Sequence, residues 1–121
     1  MVNYFFDTYA LIELTKNGPS YIRFGEEVVV TTHFNLVELF YRTLEDFGEN
    51  KAKEVYFKFK KCAIPVPDEV LFKALMFRLK NRKKGFSYVD CIGYIFALEN
   101  KLKFLTGDDG FKDFPNVEFV K

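Results

Sequence analysis

Histidine occurs once in the chain, at His33, and cysteine twice, at Cys62 and Cys91. That scarcity excludes several chemistries. The two cysteines lie far apart without metal-ligand spacing, so neither a zinc site nor a disulfide framework is read from them, and reduced thiols in a cytoplasmic setting are expected. His33 has no serine or cysteine at a recognisable spacing, which makes it a surface or capping residue rather than a catalytic base. Charge of one sign is lacking too: 18 Lys and Arg stand against 17 Asp and Glu, for a net charge of +1. A chain that held nucleic acid by bulk electrostatics would be strongly basic, so any RNA or DNA contact must be local. No apolar run approaches the about 18 residues of a membrane span, no basic-then-apolar leader opens the chain, and no low-complexity tract or linker interrupts it. A soluble protein is expected.

What is present suits one compact domain over residues 1–121, long enough to bury most of its unfolded surface. Hydrophobic residues make up 49% of it, with 16 Phe and 7 Tyr, and these aromatics are read as packing rather than as base-stacking platforms. Phe5, Tyr9, Leu11, Phe40 and Phe47 are likewise given no role beyond packing.

Along the chain, short β-forming runs alternate with helical patterns. Val2 to Phe6 is a strand ended by Asp7-Thr8, and Ala10, Leu11, Ile12 and Leu14 suggest a helix stopped at Asn17-Gly18-Pro19. Val28 to Thr31 is a second strand, followed by a long helix to Gly48 and another over Glu49 to Lys61. Ala63 to Val66 is a third strand, which Pro65 confines to an edge because it cannot donate to a ladder. A helix from Pro67-Asp68-Glu69 to about Arg82 and a nearly apolar one over Ser87 to Asn100 precede a strand at Lys103 to Thr106. A glycine-rich turn and a last strand at Val117 to Val120 close the chain. Strands alternating with helices imply an α/β domain whose parallel sheet is covered on both faces.

That geometry sorts the acids. In such a sheet the strand ends and the first turns of the returning helices share one edge. Asp7 follows the first strand, Glu38 lies early in the helix after the second, Asp90 is in the first turn of the apolar helix, and Asp108 follows Thr106 by one glycine. All four can project into one crevice. Carboxylates gathered there would repel one another and hold their protons unless a cation neutralised them. Mg²⁺ or Mn²⁺ is the natural occupant, since hard divalent ions take oxygen ligands and no His or Cys set competes. Such an ion suits phosphoryl chemistry, activating water and stabilising a departing oxygen without a side-chain nucleophile. Each acid also has a plainer reading. Ser87-x-x-Asp90 matches a capping box, Asp7 could cap the first helix, Glu38 could be solvated, and Asp108 and Asp109 could be turn residues.

Four segments in this order resemble the PIN domain family, in particular the small ribonuclease toxins of VapBC type: Tyr4 to Ile12, Asn35 to Leu39, Ser87 to Tyr94 and Phe104 to Phe111. The resemblance spans the whole chain. It implies a three-layer α/β/α fold with a parallel sheet of four to five strands in the order 3-2-1-4-5. It also implies one or two Mg²⁺ or Mn²⁺ ions held by Asp7, Glu38, Asp90 and Asp108 for hydrolysis of an RNA phosphodiester. Thr8 and Thr106 match the family's small hydroxyl positions. Asp108 fits the family's Thr-x-Asp spacing, with Asp109 as a reserve ligand, and Tyr9 departs from the Asn or Ser often found two residues after the first Asp. The role implied is the toxin of a toxin-antitoxin pair, with a VapB-like antitoxin and a homodimer as partners. The apolar helices around residues 36 to 59 are the surface offered to them. The competing readings are a phosphoacceptor receiver-type domain, which would need Asp68 as its acceptor, and a noncatalytic PIN-like scaffold. One signal stays apart from all of these: Arg78 to Lys84 holds five basic residues in seven, either a solvated helix end or a contact for an RNA backbone.

Overall fold

A computed structural model describes residues 2–121. The chain runs β1 (Tyr4–Phe6), α1 (Thr8–Thr15), a 3₁₀ turn (Pro19–Phe24), α2 (His33–Phe47), α3 (Glu49–Lys60), α4 (Asp68–Lys80), a 3₁₀ turn (Arg82–Lys84), α5 (Tyr88–Glu99), β2 (Lys103–Thr106), a 3₁₀ turn (Asp109–Phe111) and β3 (Val117–Phe119). The sheet is parallel in the order β1-β2-β3, with Phe5 opposite Phe104 and Leu105 opposite Glu118.

Among the described residues three strands form, not the four to five expected. The stretches read as strands over 28–31 and 63–66 shrink to isolated parallel bridges, Phe5 with Val30 and Thr31 with Ala63. The cause is local. Thr32 turns away at once to cap α2, its hydroxyl accepting from the Asn35 amide, and Pro65 has no N–H to extend the ladder past the bond from the Ile64 amide to the Thr31 carbonyl.

Two cores flank the sheet, as strand alternation requires. Phe5 and Phe104 point into one, formed with Val70 and Ala74 of α4 and the buried run Cys91 to Ala97 of α5. Phe6 and Leu105 point into the other, formed with α1, α2, α3 and the first 3₁₀ turn through residues such as Leu11, Tyr21, Leu36 and Phe59. The architecture is therefore three-layered, helices on both faces of a sheet. Gly93 explains how α5 sits so close, because a Cβ there would lie 2.8 Å from the Phe5 ring and 3.2 Å from that of Phe104. Among the described residues, no helix is long and apolar enough to cross a membrane. Phe5 and Leu11 are fully buried and Tyr9 and Phe40 half-buried, but Phe47 is exposed, having fallen on the outer side of α2 at its last turn.

Candidate active site

A cavity of about 390 Å³ opens at the edge where β1 and β2 end, and Asp7, Glu38, Asp90, Asp108 and Asp109 all line it. Asp7 occupies the N-cap position of α1 yet makes no capping bond with its side chain. Its Oδ2 instead accepts from the Thr106 hydroxyl at 2.8 Å. Its Oδ1 is buried without any hydrogen-bond partner. Burial, then the charge of Asp90 and more weakly that of Glu38, push the Asp7 carboxyl up to about 8, while Thr106 and the nearby Thr8 amide pull the other way. The Thr8 amide does so without meeting hydrogen-bond geometry.

Asp90 serves two purposes. The capping box is real: Ser87 N donates to Asp90 Oδ2 at 2.9 Å, and Asp90 N donates to Ser87 Oγ at 3.0 Å. The cap fixes the carboxylate at the mouth of α5, where burial, opposed by the Ser87 amide, and then Glu38 and Asp108 bring it up to about 6. Glu38 faces the same cavity half-buried, one helical turn into α2. Asp108 caps the short turn after β2, its Oδ1 accepting from Gly110 N at 3.0 Å, and its own amide donates to Thr106 Oγ1 at 3.1 Å. Asp109 is different in kind. It is exposed and paired with Lys121 at 2.8 Å, which holds its carboxyl below the usual range.

Thr106 thus ties two acids together through one oxygen, and Thr8 is held from the other side by Asn35 Nδ2 at 3.0 Å. Asn35 was not among the candidate residues. It is fully buried, accepts from Thr32 Oγ1 at 2.6 Å, and links the start of α2 to the start of α1. Its spacing three residues before Glu38, on the same side of a helix, was the available signal. Arg42, one turn beyond Glu38, and Lys121 also line the cavity and were not anticipated. Tyr9 takes the place of the small polar residue by packing over Gly107, where a Cβ would collide with its ring and approach the Val120 carbonyl to 2.5 Å. Asp68 is exposed at the start of α4 and is not part of the cavity. His33 is exposed and lies edge-on to Tyr56, and Cys91 is a buried thiol that burial and Asp90 push up to about 11.

The donor set suits a hard divalent cation: carboxylates and hydroxyls, with an unpartnered oxygen on the most deeply buried acid. Among the described residues, no three His, Cys, Asp or Glu side chains already stand in ligating geometry. The acids share a cavity without closing on a point. A second cleft of about 310 Å³, between the ends of α1 and α3, is mostly apolar and brings only Glu13 and Lys58 as charges.

No family model matches the chain, and no curated protein matches it in sequence. Solved structures do match in three dimensions. A chain of a toxin-antitoxin complex from Klebsiella pneumoniae is 17% identical, with a TM-score of 0.71 over 95% of each chain. VapC20 of Mycobacterium tuberculosis, a toxin that cleaves the sarcin-ricin loop, is 16% identical, with a TM-score of 0.74 over 89% of this chain and 92% of that one. A chain of VapBC2 from Rickettsia felis, solved bound to a promoter DNA fragment, is 18% identical, with a TM-score of 0.73 over the whole of both chains. The resemblance to VapC-type PIN domains carried by the four sequence segments therefore holds for the fold, along the full length of the chain.

Proposed function

We propose that this chain is an Mg²⁺- or Mn²⁺-dependent endoribonuclease, the toxin of a toxin-antitoxin pair, acting in the cytoplasm. One observation carries the reading: a buried carboxylate, Asp7, with one oxygen unpartnered and its proton held to about 8, on the wall of a cavity lined by three further acids of the expected set. A carboxylate is costly to bury without compensation, and a cation in the cavity would supply it. The fold shared with a sarcin-ricin loop cleaving toxin supports RNA as the substrate, and the toxin-antitoxin complexes among the neighbours support a VapB-like antitoxin as partner.

In this reading Asp7, Glu38, Asp90 and Asp108 hold the ion. When bound, the ion supplies the attacking hydroxide and offsets charge on the scissile phosphate. The chain's own residues do the positioning. Thr106 fixes Asp7 Oδ2 and the Asp108 amide, the Ser87 cap fixes Asp90, and Asn35 fixes Thr8. Asp109 is spent on Lys121 and ranks behind Asp108 as a ligand. Val37, Tyr41, Leu44 and Phe47 are exposed along α2, with Phe57 on α3, and this apolar face is the one offered to an antitoxin or to a second copy of the chain.

Asp7→Asn or Asp90→Asn should lower metal-dependent RNA cleavage by roughly tenfold or more with the fold unchanged, and chelation should abolish it. Cleavage by both variants at the parent rate would refute the assignment. The receiver-type alternative loses support because Asp68 stands outside the cavity. A noncatalytic scaffold would have no need to keep four acids around one cavity.

A further inference from the structure

The basic tract after α4 leads directly into the wall of the acid cavity. α4 ends at Lys80, the chain turns through Arg82–Lys84, and Gly85 at φ +72° redirects it into the cavity wall, which Gly85, Ser87 and Asp90 help to form. The turn is held by backbone bonds from Lys84 N to the Asn81 carbonyl and from Gly85 N to that of Arg82. Arg82, Lys83 and Lys84 are all exposed, and among the described residues no carboxylate pairs with any of them. They line a cleft of about 500 Å³ of their own, with Lys84 Nζ 5.5 Å from the Phe114 ring centroid, and the chain joins this cleft to the acid cavity at Gly85. Cations without carboxylate partners there leave room for an anion from outside.

Tyr88 follows four residues later in the chain and packs against Arg78 of the same basic tract. It opens α5 directly after Ser87 and is 60% exposed. The Arg78 guanidinium lies 4.3 Å from its ring centroid and is itself fixed by donation from Nε to the Phe86 carbonyl at 2.9 Å. An exposed ring backed by a fixed guanidinium is a stacking surface for a nucleobase. A base inside a duplex has no free face to offer, so the occupant must be unpaired.

Resting on the reading of the cavity as a nuclease site, we infer that Arg82, Lys83, Lys84 and Tyr88 form a docking subsite for unpaired RNA beside the cleaved bond, cations on phosphates and Tyr88 against a base. The test is fluorescence anisotropy of a labelled, mixed-sequence single-stranded RNA with the full chain, in EDTA and over a range of salt, against a blunt RNA duplex. The triple variant Arg82→Gln, Lys83→Gln, Lys84→Gln should bind with a log-log salt slope smaller in magnitude by roughly 2, about 0.7 for each phosphate that is no longer neutralised. Tyr88→Leu should weaken binding by about tenfold at unchanged slope, and Tyr88→Phe should bind as the parent does. Should Tyr88→Leu melt early, Tyr88→Phe and the exposed triple variant still decide the matter. An unaltered slope in the triple variant, duplex bound as tightly as single strand, or no binding by the parent would overturn the subsite. A parent that binds in this way but cleaves with neither Mg²⁺ nor Mn²⁺ would overturn the nuclease reading and leave the subsite standing. Cleavage by the triple variant with the parent's KM would overturn the subsite alone.

Discussion

Among single residues, Thr106 has the most to do per atom. Its hydroxyl donates to Asp7 and accepts from the Asp108 amide, so one buried oxygen orients two acids. Thr106→Val keeps the shape and removes both bonds. Mn²⁺ affinity should fall by about 10–100-fold, as when other hydrogen bonds that orient a metal's ligands are removed, and calorimetric titration would read it; an unchanged affinity would show that Thr106 orients nothing. Asp7→Asn should act in the opposite sense on stability. It removes a buried carboxyl with an unpartnered oxygen that must take up a proton when the chain folds near neutral pH, so the metal-free chain should gain about 1–2 kcal/mol and melt several degrees higher. A lower melting temperature in EDTA would mean that the carboxylate is a structural element after all. The sequence could put Asp7 and Asp90 at the cavity because one directly follows the first strand and the other is the lone charge in the first turn of an apolar helix. Arg42 was not legible, since a guanidinium on a helix carries no signal until its partner is placed, and Asn35 offered only its spacing from Glu38.

Among the elements, α5 carries the site and also shows how competing magnitudes decide a substitution. Gly93 sits mid-helix, where alanine would gain up to about 1 kcal/mol in helix propensity. The Phe5 and Phe104 rings that a Cβ would strike are fully buried, and overpacking costs about 1–3 kcal/mol. Gly93→Ala should therefore destabilise the fold on balance, as denaturant melts would show, and a stabilised variant would mean that α5 can lift from the sheet at little cost. The helices were legible because their caps, stops and periodicity are local: Ser87 with Asp90, Gly48 between α2 and α3. The second and third strands were over-read. β-branched residues at Val28 to Thr31 state a preference for extended backbone, whereas a ladder needs a neighbour, and the turn into α2 and Pro65 limit each pairing to one bridge.

Over the whole molecule, alternation of strands and helices was enough to give two cores and an acid edge, because connection geometry leaves few other arrangements. It could not say which aromatics face outward, and a count of Phe taken as packing missed exposed Phe34, Phe47, Phe57 and Phe72. The acid edge also sets how the fold responds to pH. Asp7 and Asp90 hold their protons up to about 8 and about 6 when folded, against 3.8 for an ordinary Asp. A carboxyl whose folded pKa stands above its unfolded value binds its proton more tightly in the folded chain. These two groups thus favour folding at acid pH and lose that contribution as pH climbs through the window from about 4 to about 8. Without metal, melting temperature should therefore decline from about pH 5 to about pH 8, and Asp7→Asn should flatten most of the decline. Saturating Mn²⁺ should oppose it, because an ion that replaces the protons binds more tightly as they leave. A metal-free chain that grows steadily more stable up to about pH 8, with no difference in Asp7→Asn, would mean that these carboxylates are already compensated by the fold and have no need of a cation.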